Sequence, residues 1–243
     1  MEESFARRQL IEVCRLAYSR GYICGTEGNF SMRLADERIV STPRGTCKAR
    51  IEPEELVLTD LDGKVIEAGR SGAAVNARMP STELSMHLAA YHARPDVKAV
   101  VHAHPTVTVA FTVAGVSLSK CILPETVCTL GVIPVAPYAT PSTEEVPASI
   151  EQLIGAHDAV VLDHHGALTV GSDLWDAFYK LETLEHHAQT LLVAHLLGGP
   201  KPLLSSQVKK LLDIRSVYGF TRPLPVNMLT SPECSEPDQE TPA

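Results

Sequence analysis

The sequence offers no run of residues apolar enough to span a membrane. Its one long stretch without a formal charge, Ala99 to Ser119, contains two histidines, a proline and three threonines, too much polarity for a helix facing lipid. Cations are also scarce: 21 Lys and Arg against 29 Asp and Glu leave a formal net charge of −8. Such a field repels phosphate backbones and anionic head groups, so neither nucleic acid nor a membrane surface is expected as a partner. The opening residues, Met1-Glu2-Glu3-Ser4-Phe5-Ala6-Arg7-Arg8, lack the basic-then-apolar order of a secretion signal. Cys14, Cys24, Cys47, Cys121, Cys128 and Cys234 show no metal-type or redox-type spacing. They read as six reduced thiols in a cytoplasmic protein. There is no internal repeat.

What is present is ordinary globular usage, 44% hydrophobic and 21% charged over 243 residues. One domain over residues 1–220 is expected. The last residues, 221–243, carry five prolines and little apolar content, and read as a loosely draped tail.

Along the chain, Ala6, Leu10, Val13, Cys14 and Ala17 recur at helical intervals before Gly21, predicting an amphipathic helix. A glycine-rich loop follows, Gly25-Thr26-Glu27-Gly28-Asn29. Short β-rich runs occupy Arg38 to Thr42, Leu56 to Thr59 and Lys64 to Glu67, the last two joined as a hairpin by Asp60-Leu61-Asp62-Gly63. Gly69 to Arg78, small and polar, reads as a flexible loop. Ser81 reads as the cap of a helix bearing Leu84, His87, Leu88 and Tyr91 on one face. Val97 to His102 reads as a buried strand, and Thr106 to Val113 fits either strand or helix. Further β signals lie at Val132 to Tyr138 and Ala159 to Val170. Between them Ser142 and Glu145 resemble a capping box, although Pro147 fits it poorly. The longest helix is expected from Asp173 to Leu197, and a shorter one near Ser206 to Ile214. The irregular interleaving favours a layered α/β domain.

The chemistry is concentrated in histidines. In Val100-Val101-His102-Ala103-His104-Pro105 the two imidazoles leave one face of a strand and can converge on one ion. Neutral imidazole at about 2 Å suits zinc. Asp163-His164-His165-Gly166 closes another apolar strand and supplies a third imidazole. Adjacent strand residues point oppositely, so one of His164 and His165 ligates, and spacing does not choose between them. Three histidines leave a coordination position open, the pattern of a catalytic site. The loop Gly25 to Asn29 offers backbone amides without bulk, and Ser81-Thr82 sits at a predicted helix start; together they suit a phosphate. A carboxylate facing phosphate is unfavourable, so Glu27 is expected to point away from it.

These motifs together resemble the class II aldolase/adducin family, and within it the bacterial L-fuculose-phosphate aldolase type. The likeness runs from about residue 7 to 220 through Gly25 to Ser31, Ser41-Thr42-Pro43-Arg44-Gly45, Pro80-Ser81-Thr82-Glu83, His87 to Pro105, Ala136 to Thr140 and His164-His165-Gly166. The resemblance implies zinc held by His102, His104 and His165, with Glu83 as an acid/base that also ligates the ion when no substrate is bound. It implies phosphate contacts at Thr26, Gly28, Asn29, Thr42, Gly45, Ser81 and Thr82, and a closing tyrosine at Tyr218. The implied fold is a three-layer α/β/α arrangement around a central, largely antiparallel sheet, with residues after Pro105 helical. The implied assembly is a homotetramer with active sites between subunits. Another divalent ion could use the same ligands.

The implied activity is reversible cleavage of a small ketose 1-phosphate into dihydroxyacetone phosphate and an aldehyde through an enediolate. The same chemistry admits a pentulose-phosphate 4-epimerase or a zinc-assisted decarboxylase of a sugar-acid phosphate or an aromatic acid, and the same fold admits, without catalysis, an adducin-like binding module. Epimerases carry Asp where this chain has Glu83, and binding modules lack the complete zinc set. Two features depart from the aldolase pattern. Leu123 stands where those enzymes have a tyrosine that protonates the leaving alkoxide, and Ser71 to Arg78 has no counterpart in the shorter enzymes. His87, His92, His157, His186, His187 and His195 read as structural or exposed.

Overall fold

The structure is a computed structural model that describes residues 2–69 and 79–220 together with Arg222, Leu224 and Cys234. The expected loop beyond Gly69 and most of the proline-rich tail lie outside the described residues.

Eight strands form one sheet in the order β4-β3-β2-β1-β5-β8-β7-β6. They are β1 (Asn29–Arg33), β2 (Ile39–Ser41), β3 (Val57–Thr59), β4 (Val65–Glu67), β5 (Ala99–Ala103), β6 (Val135–Ala136), β7 (Ala159–Leu162) and β8 (Gly166–Gly171). Every pairing is antiparallel except β6 with β7, which is parallel. Among the described residues seven α-helices accompany it: α1 (Glu3–Ser19), α2 (Leu84–Ala93), α3 (Thr106–Val113), α4 (Pro124–Thr129), α5 (Glu145–Ala156), α6 (Leu174–Leu196) and α7 (Ser205–Ile214).

The period-2 alternation of the strands builds two cores. Phe30, Met32, Ala99, Val101, Ala103, Val161 and Ala167 face α1, α3 and α6, where Leu10, Phe111, Phe178 and Leu184 meet them. Their neighbours Val100, Val160, Leu162, Leu168 and Val170 face the opposite way, against Met86 and Tyr91 of α2 and Ile150 and Ile154 of α5. The sheet is therefore covered on both sides. His102 shares the face of Val100 and so lies on the α2 side of β5.

Most expected elements stand, and the stretch that propensity left open, Thr106 to Val113, is helix α3. Placing β5 and α3 inside Ala99 to Ser119 divides the uncharged run into two short elements. No helix among the described residues is long and apolar enough to cross a membrane.

Several expectations need correction. The strand β1 was not expected; its mixed Asn-Phe-Ser-Met-Arg composition hides it beside a glycine loop, yet it is central in the sheet and almost wholly buried. α2 starts at Leu84 with Glu83 at its N-cap position, and Ser81 only accepts the Glu83 amide at 3.2 Å in the preceding turn. At the start of α5 the partners are Thr140 and Thr143 rather than Ser142: Glu145 accepts the Thr140 amide at 2.8 Å, and its own amide donates to Thr143 Oγ1 at 3.3 Å. Pro147 falls in the first turn of α5, where no amide hydrogen is needed. The β signal at Val132 to Tyr138 shrinks to Val135–Ala136, and α4 was not foreseen. Finally, the chain does not hold six free thiols. Cys121 and Cys234, 113 residues apart, are joined as a disulfide, leaving Cys14, Cys24, Cys47 and Cys128 free. Both partners lie in a small apolar cluster with Val127 and Val208, a proximity that sequence spacing cannot reveal.

Candidate metal centre

The face of β5 opposite α6 carries His102, and His104 follows two residues later on the same side. β7 ends at Leu162 and β8 begins at Gly166, so Asp163-His164-His165 forms the turn between them. His164 takes a left-handed backbone, φ 56°, and its ring bonds Asp163 at 2.8 Å. That twist settles the choice between the two histidines: His165 meets His102 and His104, with ring centroids 4.8 and 4.9 Å away. Gly166 is required beneath them, since a Cβ there would stand 2.5 Å from the Ala103 carbonyl oxygen and 2.7 Å from the His104 ring.

One ligand atom from each of the three imidazoles lies within 4.8 Å of the others. His102 Nε2 and His104 Nε2 are 3.1 Å apart, close to the roughly 3.3 Å expected of two nitrogens on a tetrahedral zinc. His102 Nδ1 faces the Ala167 carbonyl at 3.0 Å, so it carries the hydrogen and leaves Nε2 as a bare lone pair aimed at the cluster. Burial holds the imidazoles of His102 and His104 below their ordinary value, keeping them neutral as ligands must be. Glu83 completes the set. Its Oε1 is 3.2 Å from His165 Nε2 and its Oε2 3.5 Å from His102 Nε2, yet Oε1 is buried without a well-formed hydrogen bond. Burial alone would raise this carboxyl, but His165, His102 and the Asn29 amide outweigh it and hold it well below the usual carboxylate range. Converging lone pairs and an orphaned carboxylate oxygen are the donor set a divalent cation fits.

The loops expected to take phosphate come together at the same end. Arg44 donates its amide to the Met79 carbonyl at 2.9 Å and Pro43 bridges to Pro80, which sets Ser41 to Gly45 beside Ser81 to Glu83. Gly28, at φ +69°, tolerates no side chain, because a Cβ would come 2.5 Å from Ile23 and 3.0 Å from the His102 carbonyl. Thr26 and Thr82 are exposed; Thr82 shares a hydrogen bond of 2.7 Å with Ser142. Thr42 is buried and its hydroxyl accepts the Phe30 amide at 3.1 Å. Gly45, φ +65°, has open space where a Cβ would be. Asn29 is buried and donates to Glu83 Oε2 at 2.8 Å, so its amide is committed to that carboxylate. Tyr218 lies in a 3₁₀ turn, Arg215–Tyr218, 63% exposed and hydrogen-bonded to none of these residues.

Three further groups bear on the site, of which Lys48 was missed from sequence. Lys48 is 3% exposed and donates to the Thr26 carbonyl at 2.5 Å. Among the described residues no carboxylate pairs with it, and burial lowers its pKa. An isolated lysine after a glycine loop gives no periodic signal, so it had no claim to attention. Glu27 turns to His104, with Oε2 3.4 Å from Nδ1. His87, taken as structural or exposed, is buried beside Asn29.

The sequence profile described as Class II Aldolase and Adducin N-terminal domain matches residues 8–192. The 3-oxo-tetronate 4-phosphate decarboxylase of Escherichia coli is 28% identical over 218 residues, covering 88% of this chain and 97% of that enzyme. The L-fuculose phosphate aldolase of Methanococcus maripaludis is 32% identical over 181 residues, covering 74% and 93%. A solved L-fuculose 1-phosphate aldolase superposes with a TM-score of 0.79 at 27% identity, covering 90% of this chain and 99% of its own. The chain belongs to the class II aldolase/adducin family. It is a metal-dependent lyase of that family.

Proposed function

We propose that this lyase breaks the bond between the α and β carbons of the ketone in a small phosphorylated sugar or sugar acid, releasing dihydroxyacetone phosphate. The observation that carries the reading is the convergence of His102, His104 and His165 with the orphaned Oε1 of Glu83. Three neutral imidazoles with an open position suit zinc, although copper, nickel or iron could use the same ligands. A bound ion would supply a Lewis acid that draws the electron pair of the breaking bond toward the ketone oxygen. Glu83, ionised at the start of α2, takes up a proton from solvent and passes it to the carbon that lost its substituent, returning to the carboxylate. The loops at Thr26, Gly28, Thr42, Gly45, Ser81 and Thr82 hold the phosphate with amides, hydroxyls and the buried charge of Lys48 behind them. Tyr218 is proposed to close over this site.

Of the two outcomes, decarboxylation of a 3-oxo sugar-acid phosphate is favoured. Carbon dioxide leaves with no hydroxyl to deprotonate, whereas aldol cleavage must take the proton from the β-hydroxyl as its carbon becomes the aldehyde, and Leu123 cannot accept one. A relative carrying the decarboxylase name also spans most of this chain. Aldol cleavage of a ketose 1-phosphate is the second reading, supported by the aldolase relative of higher identity. Loss of the carboxyl from a four-carbon 3-oxo acid 4-phosphate leaves the same dihydroxyacetone phosphate as the aldol route, so one coupled assay covers both. The test measures that product from a panel of both substrate types, with carbon dioxide and aldehyde quantified in parallel and His102→Ala as control. Carbon dioxide in step with product supports decarboxylation, and aldehyde supports aldol cleavage. Turnover unaffected by His102→Ala overturns the mechanism.

A further inference from the structure

Behind Glu83 an unbroken line of hydrogen bonds runs into the core. Asn29 Nδ2 is 2.8 Å from Glu83 Oε2, and Asn29 Oδ1 is 2.6 Å from His87 Nε2. His87 Nδ1 is 2.7 Å from Ser31 Oγ, which is 2.8 Å from the Tyr91 hydroxyl. The chemistry of each member fixes every proton in the line. A carboxylate can only accept, so Asn29 turns its amide nitrogen to Glu83 and its oxygen to His87. That oxygen can only accept, so His87 Nε2 carries a hydrogen. A neutral imidazole has one, which leaves His87 Nδ1 to accept from the Ser31 hydroxyl and Ser31 to accept from Tyr91.

We propose that His87, as the neutral Nε2–H tautomer, is the positioning residue that orients the Asn29 amide and thereby holds the Glu83 carboxylate for proton transfer. The surroundings suit this role. His87 and Tyr91 are 1% exposed and Ser31 is fully buried, so no water competes for these bonds. Burial also pushes the His87 imidazole down to about 4, leaving it uncharged at neutral pH. With the opposite tautomer, Asn29 would turn its oxygen to Glu83 and set two acceptors against each other at 2.8 Å. Register places the line: Asn29 and Ser31 leave the same face of β1, and His87 and Tyr91 stand one turn apart on α2 above it. The proton-transfer role rests on the lyase reading, whereas the tautomer does not.

The experiment has two arms, both on the full chain loaded with zinc. Long-range proton–nitrogen correlation of the imidazoles at pH 7 is expected to give His87 a protonated Nε2 and a bare Nδ1. An Nδ1–H tautomer or an imidazolium overturns the proposal. In the second arm, His87→Phe is expected to lower kcat by about 10- to 100-fold, with KM and metal content little changed. His87→Gln, which can donate to Asn29 and accept from Ser31, is expected to recover most of that loss. A wild-type kcat in His87→Phe, or an equal loss in folded His87→Gln, overturns it. A wild-type chain inactive on every substrate of the panel overturns the proposed function, and the imidazole spectrum then decides the tautomer alone.

Discussion

His102 Nε2 and His104 Nε2 face one another across 3.1 Å, while the second nitrogen of each ring is turned to an oxygen, Ala167 at 3.0 Å and Glu27 at 3.4 Å. Hydrogens on those outer nitrogens leave two lone pairs opposed, a repulsion that a shared cation removes. Metal is therefore expected to stabilise the fold as well as to permit turnover. Stripping the protein with a chelator should lower its melting temperature by about 5–10 °C, with activity lost and both recovered on adding zinc. Calorimetry alongside metal analysis checks this, and an identical melting temperature with the metal demonstrably gone would contradict it.

Glu83 sits at the N-cap position of α2 with its side chain 12% exposed, close enough to solvent to exchange a proton and close enough to the imidazoles to touch them. Glu83→Gln keeps the shape and removes the proton-carrying function. Turnover should fall by at least about 100-fold while near-stoichiometric metal remains, because the three histidines stay. If metal and activity vanish together, Glu83 acts mainly as a ligand and another group moves the proton.

How far the sequence led can be judged at particular residues. His102 and His104 were legible because a strand's period of two is a geometric rule that survives any context. His165 needed a resemblance, since the choice over His164 depends on one left-handed residue in a turn, which composition does not encode. β1 and its bonds to α2 were invisible for a related reason: Asn29 and Ser31 are polar residues buried in a central strand, and their hydrogen-bond partners, His87 and Tyr91, lie more than fifty positions away. The Cys121–Cys234 pair fails on the same ground. Local pattern reports elements, whereas polar satisfaction inside a core is a property of tertiary contact.

The buried His87 gives the fold a pH dependence of defined sign. Its folded-state pKa is about 4 against an ordinary 6.5, so the unfolded chain binds a proton first as pH falls. Stability from this group is fully present above about pH 6.5 and is lost progressively down to about pH 4, by about 3 kcal/mol in all. Denaturant midpoints of wild type and His87→Gln across that range isolate the effect from other histidines. The wild type should lose stability more steeply by up to one proton's worth, and parallel curves would contradict a neutral buried imidazole.

Lys48 bears on what the site recognises. Its ammonium is 3% exposed, bonded to the Thr26 carbonyl, and unpaired with any carboxylate among the described residues. A buried charge without a counterion is costly, and burial accordingly lowers its pKa. The cost is offset when a dianion settles on the loop above it, so Lys48 is expected to favour phosphorylated over neutral ligands without touching the reacting carbons. Lys48→Met, which keeps the stem and removes the charge, should weaken inhibition by inorganic phosphate and raise KM for the phosphorylated substrate by about tenfold or more. It should leave kcat at saturation much less affected. Loss of kcat with an unchanged KM would mean instead that Lys48 only props the Gly25 to Asn29 loop beneath His102, and the phosphate would owe its binding to amides and hydroxyls alone.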